Sequence, residues 1–194
     1  MEKKLEEAIR VFHDGGIVVY PTDTVYGMGC RMDQPNSVKR LFTLRRRPET
    51  KAVPVLIDTI SLAEKYYTSP LPNNVRHLMK TYWPGPLTII YWCKQDLVPS
   101  LVRGGGKTVG MRQPDHPIPL ALIKRVGIPL LGPSANFHGQ KTPYSFQDLD
   151  HELLAKVDYV LEGECTYKMA STVVNCTRNP FFIERQGYIT FPKH

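Results

Sequence analysis

Apolar residues at Leu5, Ala8, Ile9 and Phe12 recur at helical spacing, and Gly15-Gly16 follow as a stop. The pattern then switches to a continuous apolar run, Ile17-Val18-Val19, read as a buried strand over 17–20. Pro21 ends it, because proline cannot donate to a sheet ladder. A second helix is predicted to start near Asn36 or Ser37 and to turn Val38, Leu41 and Phe42 inward. It carries Arg45-Arg46-Arg47 in a last turn where cations complement the helix dipole, and it closes at Pro48. Beyond it the pattern predicts a short strand over 53–57, helices near 61–67 and 72–82, and a break at Trp83-Pro-Gly-Pro86. Strands over 87–92 and 108–112, a helix near 117–126 and a strand over 128–131 follow. A polar loop from Pro133 to about 145 and a short helix lead to strands near 157–161, 171–176, 181–185 and 188–191. Helices and strands alternate early and strands cluster late. That order argues for one α/β domain over 1–194, a twisted mixed sheet with helices against it.

Composition narrows the class. The chain has 194 residues, 42% of them hydrophobic, enough for a substantial core. The uncharged stretch from Trp83 to Cys93 is too short to span a bilayer, so no membrane partner is expected. Met1 leads straight into Glu2-Lys3-Lys4 with no apolar signal-peptide core, which predicts a cytoplasmic protein. Cys30, Cys93, Cys165 and Cys176 are scattered without a CxxC pair, and the six histidines form no HExxH. Buried reduced thiols are expected, and no metal-ligand set. The net charge of +7 points to an anionic partner. Positive charge gathers at Arg45 to Arg47 and at Arg103 to Lys107, beside turn-forming residues that suit a phosphate site.

Three segments could carry chemistry. Tyr20-Pro-Thr-Asp-Thr-Val-Tyr-Gly-Met-Gly29 follows the first strand with three hydroxyls (Thr22, Thr24, Tyr26) and a carboxylate (Asp23), in a segment that two glycines let turn sharply. Gly132-Pro-Ser-Ala-Asn136 repeats the logic, displaying a hydroxyl and a carboxamide two positions apart as donors for phosphate or carboxylate oxygens. Ser171-Thr172 opens a third hydroxyl-bearing strand. Gly106-Lys107-Thr108 is not a P-loop, because Leu101 stands where the first glycine belongs and a strand follows. Ser134 lacks a GxSxG context, so it is not read as a hydrolase nucleophile.

The ordered series PTDTVYGMG, RRRP, WPGP, VGMRQPDHP, GPSAN, STVVNCT and IERQG resembles the YrdC/Sua5 family of threonylcarbamoyl-AMP synthases, over residues from about 5 to 190. The length is that of stand-alone members. The resemblance implies a YrdC-like twisted sheet around a large electropositive cavity. It also implies a nucleotidyltransferase that makes L-threonylcarbamoyladenylate and pyrophosphate from L-threonine, bicarbonate and ATP. The product feeds the N6-threonylcarbamoyladenosine (t6A) modification of tRNA through a partner threonylcarbamoyl transferase, and magnesium accompanies the ATP. By position, the family's catalytic set falls on Arg45, Arg47, Ser134 and Asn136. Contacts to ATP fall on Arg45, Thr108, Ser134, Asn136, Thr142 and Arg185, and threonine falls near Thr22, Arg112 and Ser171. Arg45 stands where the family commonly has lysine, and Leu56 where some relatives place a histidine near threonine. The alternative is an RNA-binding module without synthase activity, supported by the charge and by the aromatics Tyr20 and Tyr26. No KH GxxG loop or RNP pattern accompanies them.

Overall fold

The computed structural model describes residues 2–191. Helix α1 (Glu2–His13) buries Leu5, Ala8, Ile9 and Phe12, as the spacing predicts. Strand β1 (Val18–Tyr20) pairs antiparallel with β2 (Gly27–Gly29), which the sequence reading took for a sharp turn. Gly27 and Gly29 therefore serve close approach rather than turning. A Cβ on Gly29 would stand 1.9 Å from the Leu131 carbonyl oxygen.

Helix α2 (Pro35–Leu44) ends before the arginines, earlier than Pro48. Arg47 N–H bonds the Phe42 carbonyl at 2.9 Å and Arg46 N–H bonds Thr43 at 3.0 Å, with Arg46 at φ +53°. This is a Schellman ending, with an arginine in the left-handed position usually given to glycine. The three side chains thus leave in three directions instead of completing a helical turn.

Then come β3 (Val55–Leu56), α3 (Ile60–Tyr66), α4 (Asn73–Tyr82), β4 (Leu87–Trp92), β5 (Thr108–Arg112), α5 (Pro117–Val126) and β6 (Leu130–Leu131). A 3-10 turn at Phe146–Asp148 precedes α6 (His151–Leu154), β7 (Tyr159–Val160), β8 (Thr172–Asn175) and β9 (Phe182–Arg185). Prolines shorten two predicted strands: Pro54 lies just before β3 and Pro129 just before β6, where neither can donate to a ladder. The strand predicted at 188–191 does not form. There Tyr188 stacks on Tyr167, with ring centroids 4.2 Å apart, and Phe191 packs edge-on against Tyr82 and Phe181.

The strands form a three-stranded sheet, β2-β1-β7, and a six-stranded sheet, β6-β3-β5-β4-β8-β9. Both are mixed: β1 with β7, β3 with β5 and β4 with β8 run parallel, the other pairs antiparallel. Bridges Gly27–Ser134 and Arg31–Leu130 join the two sheets. Period-two alternation sorts side chains into layers. Ile17, Val19, Val55 and Leu131 enter one core, and Val18, Tyr20, Leu56 and Leu130 enter a second under α1 and α5. On β4 and β5, Leu87, Ile89, Val109 and Met111 face the first core. Their neighbours Thr88, Ile90, Thr108, Gly110 and Arg112 border a cavity on the opposite face. All four cysteines are buried and unpaired by disulfides.

Candidate active site

The cavity has a volume of about 240 Å³. Its floor is the polar face of the six-stranded sheet, with Thr88 from β4, Thr108 and Arg112 from β5, Ser171 just before β8, and Arg185 from β9. Thr24 from the β1–β2 loop and Ser134 and Thr142 from the loop after β6 close the walls. Six sequence-predicted residues thus meet in one place: Thr108, Arg112, Ser134, Thr142, Ser171 and Arg185. Thr22, Arg45, Arg47 and Asn136 do not border the cavity, and each of the four bonds a segment that does.

Thr22 shapes the β1–β2 loop. Its hydroxyl donates to the Val25 carbonyl at 2.7 Å and accepts from the Thr24 and Val25 amides at 3.2 Å each. Arg112 Nη2 approaches the same oxygen at 3.4 Å. The hydroxyl thus ties the loop together and joins it to Arg112. Thr24, two residues on, borders the cavity, and its hydroxyl lies 3.1 Å from that of Thr22.

Arg112 Nη1 donates to Asp23 Oδ1 at 2.5 Å, in an ion pair whose side chains are 6% and 0% exposed. The pair holds the guanidinium plane while Arg112 still borders the cavity. Arg185 is fixed on the other side, donating from Nε and Nη2 to the Ser171 carbonyl at 3.2 and 2.9 Å and from Nη2 to Ser171 Oγ at 3.1 Å. Burial lowers the pKa of Arg185, and the nearby charge of Arg112 lowers it further. Ser171 Oγ also lies 2.9 Å from Thr88 Oγ1, a cavity hydroxyl that sequence reasoning missed. The signal for it was present: Thr88 is the polar position in Leu87-Thr-Ile89, as Thr108 and Arg112 are in β5.

The arginine cluster reaches the cavity through its neighbours. Arg45, 3% exposed, donates from Nε to the Asn136 carbonyl at 3.1 Å and from Nη2 to Asn136 Oδ1 at 3.3 Å. Burial and then the Arg47 charge pull its pKa down to about 10, so it stays protonated at neutral pH. Asn136 Oδ1 also accepts from Ser134 Oγ at 2.6 Å, and Nδ2 donates to the Gln140 carbonyl at 2.7 Å. Arg46 pairs with Glu152 at 2.9 Å and covers the Phe137 ring. Arg47 donates to the carbonyls of Lys51 and Ala52 at 3.1 and 2.5 Å, and so fixes Ala52 and Val53, which border the cavity. The second basic run folds its own turn: Arg103 donates to the carbonyls of Val98 and Gly106.

Two expectations change. Tyr20 and Tyr26 are fully buried, with hydroxyls bonded to the Leu131 and Gly163 carbonyls, so neither can stack on a nucleobase. Leu56 packs in the second core, where a Cβ on Gly132 would come within 2.4 Å of its Cγ, and it does not border the cavity.

A sequence profile of the Sua5/YciO/YrdC domain, described as "Telomere recombination", matches residues 10–187. The chain belongs to the Sua5/YciO/YrdC family. It is 35% identical over 190 residues to the threonylcarbamoyl-AMP synthase of Bacillus subtilis, covering 97% of this chain and 55% of that protein. It is 34% identical over 161 residues to that of Xanthomonas campestris, covering 82% and 86%. Among solved structures, Pyrococcus abyssi Sua5 complexed with L-threonine superposes with a TM-score of 0.91 at 32% identity, covering 96% of this chain and 55% of that one. Escherichia coli YciO superposes with a TM-score of 0.86 at 28% identity, covering 96% and 90%. This Sua5/YciO/YrdC chain thus spans about half the length of its Bacillus and Pyrococcus relatives.

Proposed function

We propose that the chain is a threonylcarbamoyl-AMP synthase, converting L-threonine, bicarbonate and ATP to L-threonylcarbamoyladenylate and pyrophosphate for t6A formation in tRNA. The observation that carries this reading is the cavity itself. Two fixed arginines, Arg112 and Arg185, and the hydroxyls of Thr24, Thr88, Thr108, Ser134, Thr142 and Ser171 converge there. The family's named synthases and the threonine-complexed Pyrococcus structure supply the substrate class.

Arg112, with one edge held by Asp23, offers the rest of its fork to the threonine carboxylate beside Ser171. Arg185, Thr108 and Thr142 take the triphosphate. The threonine nitrogen bonds to the bicarbonate carbon as hydroxide leaves and a proton is released. An oxygen of the resulting carbamate then attacks the α-phosphorus and displaces pyrophosphate. No protein nucleophile is required, and the chain contributes positioning and charge stabilisation. Arg45, Arg47 and Asn136 serve by holding the cavity walls.

Among the described residues no three metal-ligating side chains gather, and Asp23 pairs through Oδ1 with Arg112. Magnesium enters this scheme as part of the MgATP substrate. The adenylate requires a transferase that passes the threonylcarbamoyl group to tRNA. None of the described helices is long and apolar enough to cross a membrane.

The test is pyrophosphate release from ATP with and without L-threonine and bicarbonate, with serine and alanine as controls. Release that needs both co-substrates, with a matching adenylate, supports the reading. Absence of release from folded, ATP-binding protein overturns it.

A further inference from the structure

The cavity floor changes character along its strands. Strands β4 and β5 pair Ile90 with Gly110 and Trp92 with Thr108. These positions share the face of Thr88 and Arg112, because side chains alternate and Ile89, Tyr91, Val109 and Met111 go to the core. Val173 pairs with both Thr88 and Arg185, so Arg112 and Arg185 flank the same end of the floor. Gly110 and Ile90 come next, and the floor there is apolar and low. A Cβ on Gly110 would stand 3.3 and 3.4 Å from the Thr88 and Ile90 side chains. Thr108 and Trp92 end the row. Directly opposed strand residues have Cβ atoms about 4.5–5.5 Å apart, so the Trp92 indole rises beside the Thr108 hydroxyl at the cavity rim. Trp92 is 41% exposed, whereas the second tryptophan, Trp83, is buried with Nε1 donating to the Leu87 carbonyl at 2.7 Å.

We propose that Trp92 is a platform on which the adenine ring of ATP stacks, at the rim of the cavity beyond Thr108. The proposal rests on the synthase reading above and adds a residue that selects the base end of the nucleotide. A cavity of about 240 Å³ falls below the roughly 300–1,000 Å³ of pockets that enclose a whole small-molecule ligand. A nucleotide and an amino acid together therefore do not fit inside it, and one part of the nucleotide lies over the rim. Arginines and hydroxyls take the carboxylate and the phosphates. With the triphosphate against Thr108, the nucleoside that follows it leaves at the Trp92 end. Adenine is the one flat aromatic group the substrates bring, and an exposed indole offers it a matching face. The exposed rings of β9 and the segment after it are already engaged: Phe182 lies under the Arg178 guanidinium at 5.8 Å, and Tyr188 stacks on Tyr167.

The test is equilibrium binding by calorimetry, separately for ATP and inorganic tripolyphosphate, with wild type, Trp92→Ala, Trp92→Phe and Phe182→Leu. Trp92→Ala is expected to weaken ATP about 10-fold or more, the scale of one base stacked on one aromatic ring, and to leave tripolyphosphate within about twofold. Trp92→Phe keeps an aromatic face and should retain most of the ATP affinity, and Phe182→Leu should match wild type. Tryptophan emission supplies a second readout that needs no variant to fold. ATP should quench the exposed Trp92 of wild type, tripolyphosphate should not, and Trp92→Phe, which leaves only the buried Trp83, should lose the response. ATP affinity unchanged in Trp92→Ala overturns the proposal. So does an equal loss of ATP and tripolyphosphate, or wild-type emission that saturating ATP leaves unaltered. Failure of the synthase reading shows elsewhere, as absent threonine-dependent pyrophosphate release by a protein that still binds ATP through Trp92.

Discussion

Replacing Asp23 by asparagine keeps the side chain's shape and removes the charge that faces Arg112. The wild-type contact is a single 2.5 Å bond from Nη1 to Oδ1 between groups 6% and 0% exposed, so the pair is largely shielded from water. Breaking a buried pair by removing one partner costs about 3–5 kcal/mol, because the remaining charge is left uncompensated. The lower end applies here: Asp23 Oδ2 has no protein partner, so the pair is not a bidentate fork. A loss of about 3 kcal/mol in a domain of this size corresponds to a fall of roughly 6–12 °C in Tm. Urea unfolding followed by circular dichroism measures it, with an unchanged m-value showing that the unfolded state is unaltered. The double variant Asp23→Asn with Arg112→Met supplies the control, since removing the guanidinium removes the stranded charge. It should be more stable than the sum of the two single losses by about 1 kcal/mol or more. A single variant within about 1 kcal/mol of wild type, or an additive double, would refute the claim that Asp23 balances Arg112.

Thr22→Val should destabilise by about 1–3 kcal/mol, because it strands the Thr24 and Val25 amides, and Thr22→Ser should restore most of the loss in the same urea titration. His116 caps α5, its Nδ1 accepting from the Ile118 amide at 3.2 Å and its Nε2 meeting the Glu164 carbonyl at 3.1 Å, and burial holds its pKa below the usual 6.5. The unfolded chain then binds the proton more readily, so this stability is complete above about pH 6.5 and is lost as pH falls through the lower folded pKa; a His116→Gln variant, compared by Tm from pH 7 to 5, should lose that part of the slope, and an identical slope would contradict it. Arg47→Ala should lower kcat/KM of the proposed reaction on the order of 10-fold by releasing Ala52 and Val53 from the cavity wall, and increased protease cleavage at 48–53 should accompany the loss. Unchanged kinetics with unchanged cleavage would remove Arg47 from any supporting role.

The helices and long strands were legible because each carries an unambiguous period. The strands Leu87–Trp92 and Thr108–Arg112 and the helix Pro117–Val126 fall where the pattern places them. So does the buried stripe of α1. What failed was local. The Gly27–Gly29 strand has glycine at two of three positions and gives no strand signal, since its conformation is imposed by the close approach of Leu131. Tyr20 and Tyr26 flank a polar loop and were counted toward an RNA-binding surface, but each lies in the core that the paired sheets create.

The site divides along the same line. On a strand, alternation fixes the direction of every side chain once one face is known to be buried. Thr108-Val-Gly-Met-Arg112 therefore carried its own assignment: Val109 and Met111 in the core leave Thr108, Gly110 and Arg112 to line whatever lies opposite. A helix end offers no such constraint. Three consecutive arginines after α2 look interchangeable in sequence, and the structure sends one inward to Asn136, one to Glu152 and one to the Lys51 and Ala52 carbonyls. The branching depends on Arg46 adopting φ +53°, and with no glycine at that position nothing in the sequence marks the helix end. Residue type predicted that these arginines matter near the cavity. Which of them touches a ligand and which holds a wall is decided by backbone geometry. The same turn that hides the answer places Arg45 against Asn136, whose Oδ1 also accepts from the Ser134 hydroxyl.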